Sequence, residues 1–211
     1  MTRWPAPYWV FKDAFHDVDI ASIAGGNPQP NPKSLDQDIS KITSLSQRFS
    51  RDLHAQAKLE NTTAISNIDP HLYDAIFLAG GHGTMWDFPD NAALSGAIAT
   101  IFERGGTVGA VCHGPAGLVN VKTKNGDYLV KGSNINAFTN AEEKSVGLDF
   151  VVPFLTEDVL KLRGAHFECA ANFTSFAVQD GRIITGQNPQ SAERTASRVV
   201  SVLKEVEREA A

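Results

Sequence analysis

Hydrophobic and polar positions along this chain follow two different periods. Residues 75–79 are a short apolar run, and 107–111 a strand whose end, 109–111, is apolar, with no polar alternation in either, the pattern of parallel strands buried on both faces. Residues 18–23 read as a further strand behind the end of a helix over 8–15. Residues 46–58 are polar and helix-compatible, and 57–65 can continue them. Residues 91–103 form a helix whose apolar positions Leu94, Ile98 and Ile101 share a face. Residues 141–145, 158–162 and 191–209 also read as helices. Two hairpins are predicted. One pairs 128–130 with 134–137; the other pairs 175–178 with 182–185 through the turn dipeptide Asp180-Gly181. Residues 24–32 form a loop rich in Gly, Asn and Pro, and Asp69-Pro70 interrupts the chain before residue 75. Strands alternating with helices imply an α/β protein with a parallel, doubly wound sheet. With no repeat and no linker, residues 1–211 read as a single domain.

Composition narrows the functional classes. The 211 residues are 42% hydrophobic, enough for a substantial core. A net charge of −5 without blocks of one sign argues against a nucleic-acid or membrane-surface partner. No apolar run approaches the ~18 residues of a transmembrane helix, and Met1 to Pro5 lacks the apolar centre of a signal peptide. Two cysteines, Cys112 and Cys169, fit a reducing, cytoplasmic setting better than a disulfide.

The candidate chemistry sits where the strand over 107–111 ends in Cys112-His113-Gly114-Pro115-Ala116-Gly117. A cysteine at a strand-to-helix corner is a thiol form of the nucleophile elbow, predicted to be exposed at the sheet edge. The helix N-terminus there favours thiolate, and the following N–H, that of His113, is placed as an oxyanion donor. The other reading of such a residue is a small buried Cys. Gly80-Gly81-His82-Gly83 ends the neighbouring strand, so both corners open on one cleft at the strands' carboxyl ends, with the Gly81 N–H as second donor. His82 lines that cleft or shapes its loop. Trp86 and Phe88 wall an apolar pocket or belong to the core. His166-Phe167-Glu168 has the spacing of an amidotransferase His-x-Glu pair, and Cys169 reads as a packing residue.

These residues resemble the ThiJ/PfpI superfamily (class I glutamine amidotransferase-like), in its heat-shock-protein-31-like branch. The resemblance rests on Ala79 through Asp87 (AGGHGTMWD), Ala110 through Ala116 (AVCHGPA), Ala137 through Glu143 (AFTNAEE) and Gly181 through Pro189 (GRIITGQNP). It implies a flavodoxin-like fold, a homodimer and chemistry needing neither cofactor nor metal. The implied activity is glyoxalase III, turning methylglyoxal into lactate, with related deglycase and holdase-chaperone roles in stress. The implied catalytic residues are Cys112 as nucleophile, His113 as the adjacent imidazole and Glu143 as the triad carboxylate. His113 could instead only pack under the turn, and Glu143 could only cap a helix.

The same resemblance implies two departures. The family begins with a central strand followed by a glutamate beside the cysteine; here Arg3 stands at the glutamate's place, next to Thr2, and the strand is missing. Its loss leaves two neighbouring strands unpaired, as in a chain that is N-terminally incomplete. Phe15 stands where the family usually has a helix-ending Gly. The alternative function is therefore a catalytically impaired holdase or redox-sensing binding protein.

Overall fold

A computed structural model describes residues 5–14, 17–29 and 44–209. Arg3, Thr2 and Phe15 lie outside the described residues, so the expectations attached to them are not carried into the structure.

In chain order the elements are α1 (Pro5–Asp13), β1 (Ala21–Ser22), α2 (Ser44–Arg51), α3 (Leu53–Glu60), β2 (Thr63–Ala64), β3 (Ala75–Leu78), α4 (Thr84–Asp87), α5 (Ala92–Glu103) and β4 (Thr107–Val111). There follow β5 (Asn134–Ile135), α6 (Asn140–Ser145), α7 (Thr156–Leu162), β6 (His166–Phe167), β7 (Ala177–Asp180), β8 (Ile183–Gly186) and α8 (Ala192–Glu209). The principal sheet has the order β3-β4-β8-β7. Its β3–β4 and β4–β8 pairs are parallel, and β7–β8 is the antiparallel hairpin predicted around Asp180-Gly181. Two-stranded parallel pairs, β1–β2 and β5–β6, stand apart from it.

Alternation across the pleat builds a core on each face. Ile76, Leu78, Val108, Ala110 and Ile183 join Leu94 and Ile98 of α5. On the other face Ala75, Phe77 and Ile184 meet Val199 and Val202 of α8 and Phe11 of α1. Every residue of β4 is buried, which explains its lack of polar alternation. Each Val or Ile so buried contributes roughly 1.5–3 kcal/mol. Asn91 caps α5 by accepting from the Leu94 N–H at 2.9 Å. No described helix is long and apolar enough to cross a membrane.

Four local expectations are corrected. The helix expected over 46–58 is two helices, because Asp52 leaves the helical conformation and caps α3 through the Ala55 N–H. The strand expected over 18–23 is confined to Ala21–Ser22; Val18 and Ile20 instead pack against a satellite core of Tyr8, Trp9 and Phe49. The hairpin over 128–137 does not form. Leu129 and Val130 are drawn into the core, Gly132 turns the chain at positive φ, and β5 takes a parallel partner in β6. The segment after the cysteine is a 3-10 helix, Gly114–Leu118.

Candidate active site

The end of β4 is held from both sides. Cys112 N–H donates to Gly186 O at 2.8 Å, and Cys112 O accepts from Phe138 N–H at 2.9 Å. Between these bonds Cys112 takes φ +62°, a conformation that non-glycine residues rarely adopt and that persists only when surrounding bonds impose it. The corner also needs close backbone approach. A Cβ on Gly80 would stand 2.7 Å from His113 N and 2.8 Å from Cys112 Cβ, and against Val111 O. The GGHG loop can therefore lie directly over the cysteine only because residue 80 is glycine.

The strand-to-helix corner exists, but its environment differs from the one expected. Cys112 is 7% exposed and ends an interior strand, not a sheet edge. Burial pushes its thiol up to about 12; the adjacent His113 N–H partly offsets this, and the Glu142 and Glu143 carboxylates add to it. The resting thiolate expected at this corner is thus absent at neutral pH. A five-residue 3-10 helix supplies too little dipole to overcome desolvation and two nearby negative charges.

Residues 137–143 deliver a carboxylate to this corner. Phe138 is bonded to the Cys112 carbonyl, and Thr139 then opens α6 with a reciprocal capping box to Glu142. One residue on, Glu143 bridges two imidazoles. Its Oε2 lies 2.7 Å from His113 Nε2, and its Oε1 2.8 Å from His82 Nε2. Burial alone would raise the Glu143 carboxyl, but the bonds from His113 and His82 outweigh it and hold it down to about 2. Ionised Glu143 can only accept, so both Nε2 atoms carry hydrogen. Neutral His113 therefore has a bare Nδ1, which lies 3.2 Å from Cys112 Sγ and accepts the thiol hydrogen. Burial lowers the His113 pKa and keeps the ring neutral. That ring is clamped between Phe138, centroids 4.5 Å apart, and His82 at 4.0 Å.

The remaining predicted residues divide. Gly81 adopts φ +142°, and neither its N–H nor that of His113 donates to an oxygen among the described residues. Trp86 is 55% exposed on α4, whereas Phe88 packs against the core. Exposed His166 and Glu168 stand outside the Cys112 network, and Cys169 is exposed, not packed. His82, His113 and Glu143 place one donor atom each within 4.8 Å of one another, a spacing compatible with a divalent ion; here the three are joined by the two N–H···O bonds to the carboxylate.

Sequence reading missed two supports. Glu142, fully buried, accepts from Thr139 N–H, Phe173 N–H and the Asn188 side-chain amide at 3.1, 2.7 and 2.8 Å. Phe173 is held at φ +57° beside Phe138. The acid pair Glu142-Glu143 was visible in the sequence as a pair. Nothing local signals Phe173.

A model of the DJ-1/PfpI family matches residues 6–202. Glyoxalase 3 of Candida albicans is 33% identical over 94% of this chain and 86% of its own length. The glutathione-independent glyoxalase HSP31 of Saccharomyces cerevisiae is 34% identical, with the same coverage of 94% and 86%. A crystal structure of glyoxalase III from Candida albicans superposes with a TM-score of 0.87 at 30% identity, covering 95% of this chain and 86% of that one.

Proposed function

The chain belongs to the DJ-1/PfpI family, and from that premise we propose that it is a glutathione-independent glyoxalase, converting methylglyoxal and related 2-oxoaldehydes to 2-hydroxy acids such as lactate. The observation that carries the reading is the continuous chain Cys112 Sγ–His113 Nδ1, His113 Nε2–Glu143 Oε2, at 3.2 and 2.7 Å. The glyoxalase relatives weigh against a non-catalytic holdase or redox sensor. By resemblance the proposal extends to a cytoplasmic homodimer.

A buried neutral thiol needs a base at the moment of attack. His113 Nδ1 takes the thiol hydrogen as sulfur bonds to the aldehyde carbon, and Glu143 steadies the imidazolium so formed. The N–H groups of Gly81 and His113, beside the sulfur, are assigned as donors to the oxygen on which charge develops. Proton transfer from C1 to C2 yields a thioester, and water releases the 2-hydroxy acid and restores the thiol. The test is lactate formation from methylglyoxal without glutathione, with Cys112→Ala as control. Activity in the parent protein alone is expected; equal turnover by both would overturn the proposal.

A further inference from the structure

The cluster contains one imidazole more than a thiol triad requires. His82 is anchored through Nε2 to the same carboxylate as His113, yet the two rings differ in what their other nitrogen faces. His113 is 1% exposed and its Nδ1 is engaged by the Cys112 thiol. His82 has a side chain 29% exposed, and its Nδ1 has no hydrogen-bond partner among the described residues. Since Glu143 accepts the Nε2 hydrogen, that Nδ1 in the neutral ring is a bare lone pair. It belongs to the loop that Gly80 lays over Cys112.

The proposed reaction makes two separate demands on bases: a hydrogen leaves sulfur, and a hydrogen crosses from C1 to C2. The geometry points to a division of labour in which His113 handles the thiol hydrogen and His82 is the catalytic base that carries the carbon-bound one. This assignment rests on the glyoxalase reading. Addition of the thiol to the aldehyde forms the S–C1 bond, with the sulfur's hydrogen passing through His113 to the carbonyl oxygen. His82 Nδ1 then takes the C1 hydrogen, and the electron pair forms the C1=C2 bond of an enediolate with its charge on the C2 oxygen. The protonated ring returns a hydrogen to C2, the C1 hydroxyl's hydrogen passes to the C2 oxygen, and a thioester results. C1 is oxidised and C2 reduced by the same electron pair, so no outside oxidant takes part. The two rings lie side by side, their centroids 4.0 Å apart.

The test compares the parent protein with His82→Ala, with thermal unfolding as a check on folding. The expected loss in lactate turnover is about 100-fold or more, the usual share of a general base. Covalent capture of methylglyoxal on Cys112, followed by intact mass after rapid quenching, should stay within about twofold, by the same division of roles. Added imidazole should restore part of the turnover, and methylglyoxal deuterated at C1 should show a larger isotope effect in the variant. A variant whose capture and turnover fall together, with no imidazole rescue, or whose turnover is unchanged, overturns the assignment alone. A parent protein that makes no lactate overturns the glyoxalase reading and this assignment with it.

Discussion

Replacing Glu143 by Gln removes one charge at nearly constant shape, and two separate consequences can be computed from its bonds. The folded carboxyl sits near 2 against an ordinary 4.5, which corresponds to about 3 kcal/mol at about 1.4 kcal/mol per pH unit. Because the folded value is depressed, this contribution is complete above pH 4.5 and disappears as pH falls through about 2. In a domain of this size Glu143→Gln should lower the midpoint of thermal unfolding by about 10 °C at neutral pH. The gap between the two proteins should close in strong acid. Catalysis should suffer independently. A carboxylate accepts from both imidazoles, while an amide oxygen accepts from one and its NH2 group obliges the other to expose a lone pair at Nε2. One ring then carries its hydrogen on Nδ1 and cannot act as a base there, so turnover should fall by about 10²–10⁴. Urea unfolding at a series of pH values and lactate assays measure the two effects. A stability gap that persists unchanged to pH 2, or turnover within tenfold of the parent, would refute the bridging role of this carboxylate.

Two further outcomes follow from the same geometry. Brief alkylation with iodoacetamide near pH 8 should label exposed Cys169 before Cys112, whose thiol burial pushes up to about 12; peptide mapping that finds Cys112 labelled first would contradict the neutral-thiol description. Gly80→Ala should destabilise the protein by about 1–3 kcal/mol and depress turnover, since the new methyl meets the backbone of Val111 and His113, which cannot rotate away; unchanged thermal unfolding would show that the loop has room.

Local signals identified the framework because the forces behind it are local. The run Thr107–Val111, apolar after its threonine, is a strand buried on both faces, and Asp180-Gly181 turns the β7–β8 hairpin with Gly181 at positive φ. Asn91 caps α5 within one turn. The β5–β6 pair escaped, because Asn134 and His166 find each other only through the fold, and the apolar stretch 128–130 mimics a nearer partner. The position of the Cys112 corner was legible for the same reason as the strand that presents it.

Its protonation state was not. A thiol's acidity depends on what surrounds it, and here an interior strand, a short 3-10 helix and two carboxylates reverse the expectation drawn from the corner motif alone. Likewise the residues Cys112, His113, Glu143, His82 and Gly81 were all candidates from the chain, but sequence could not say that one carboxylate joins two imidazoles. His82 and Glu143 are 61 positions apart and meet at 2.8 Å. The sequence by itself determined the elements, the cysteine corner and the set of candidate groups, because periodicity and turn chemistry act over a few residues. Tertiary structure decided which groups touch, which nitrogen holds hydrogen and whether sulfur is charged, because desolvation and hydrogen bonding depend on neighbours brought from elsewhere in the chain.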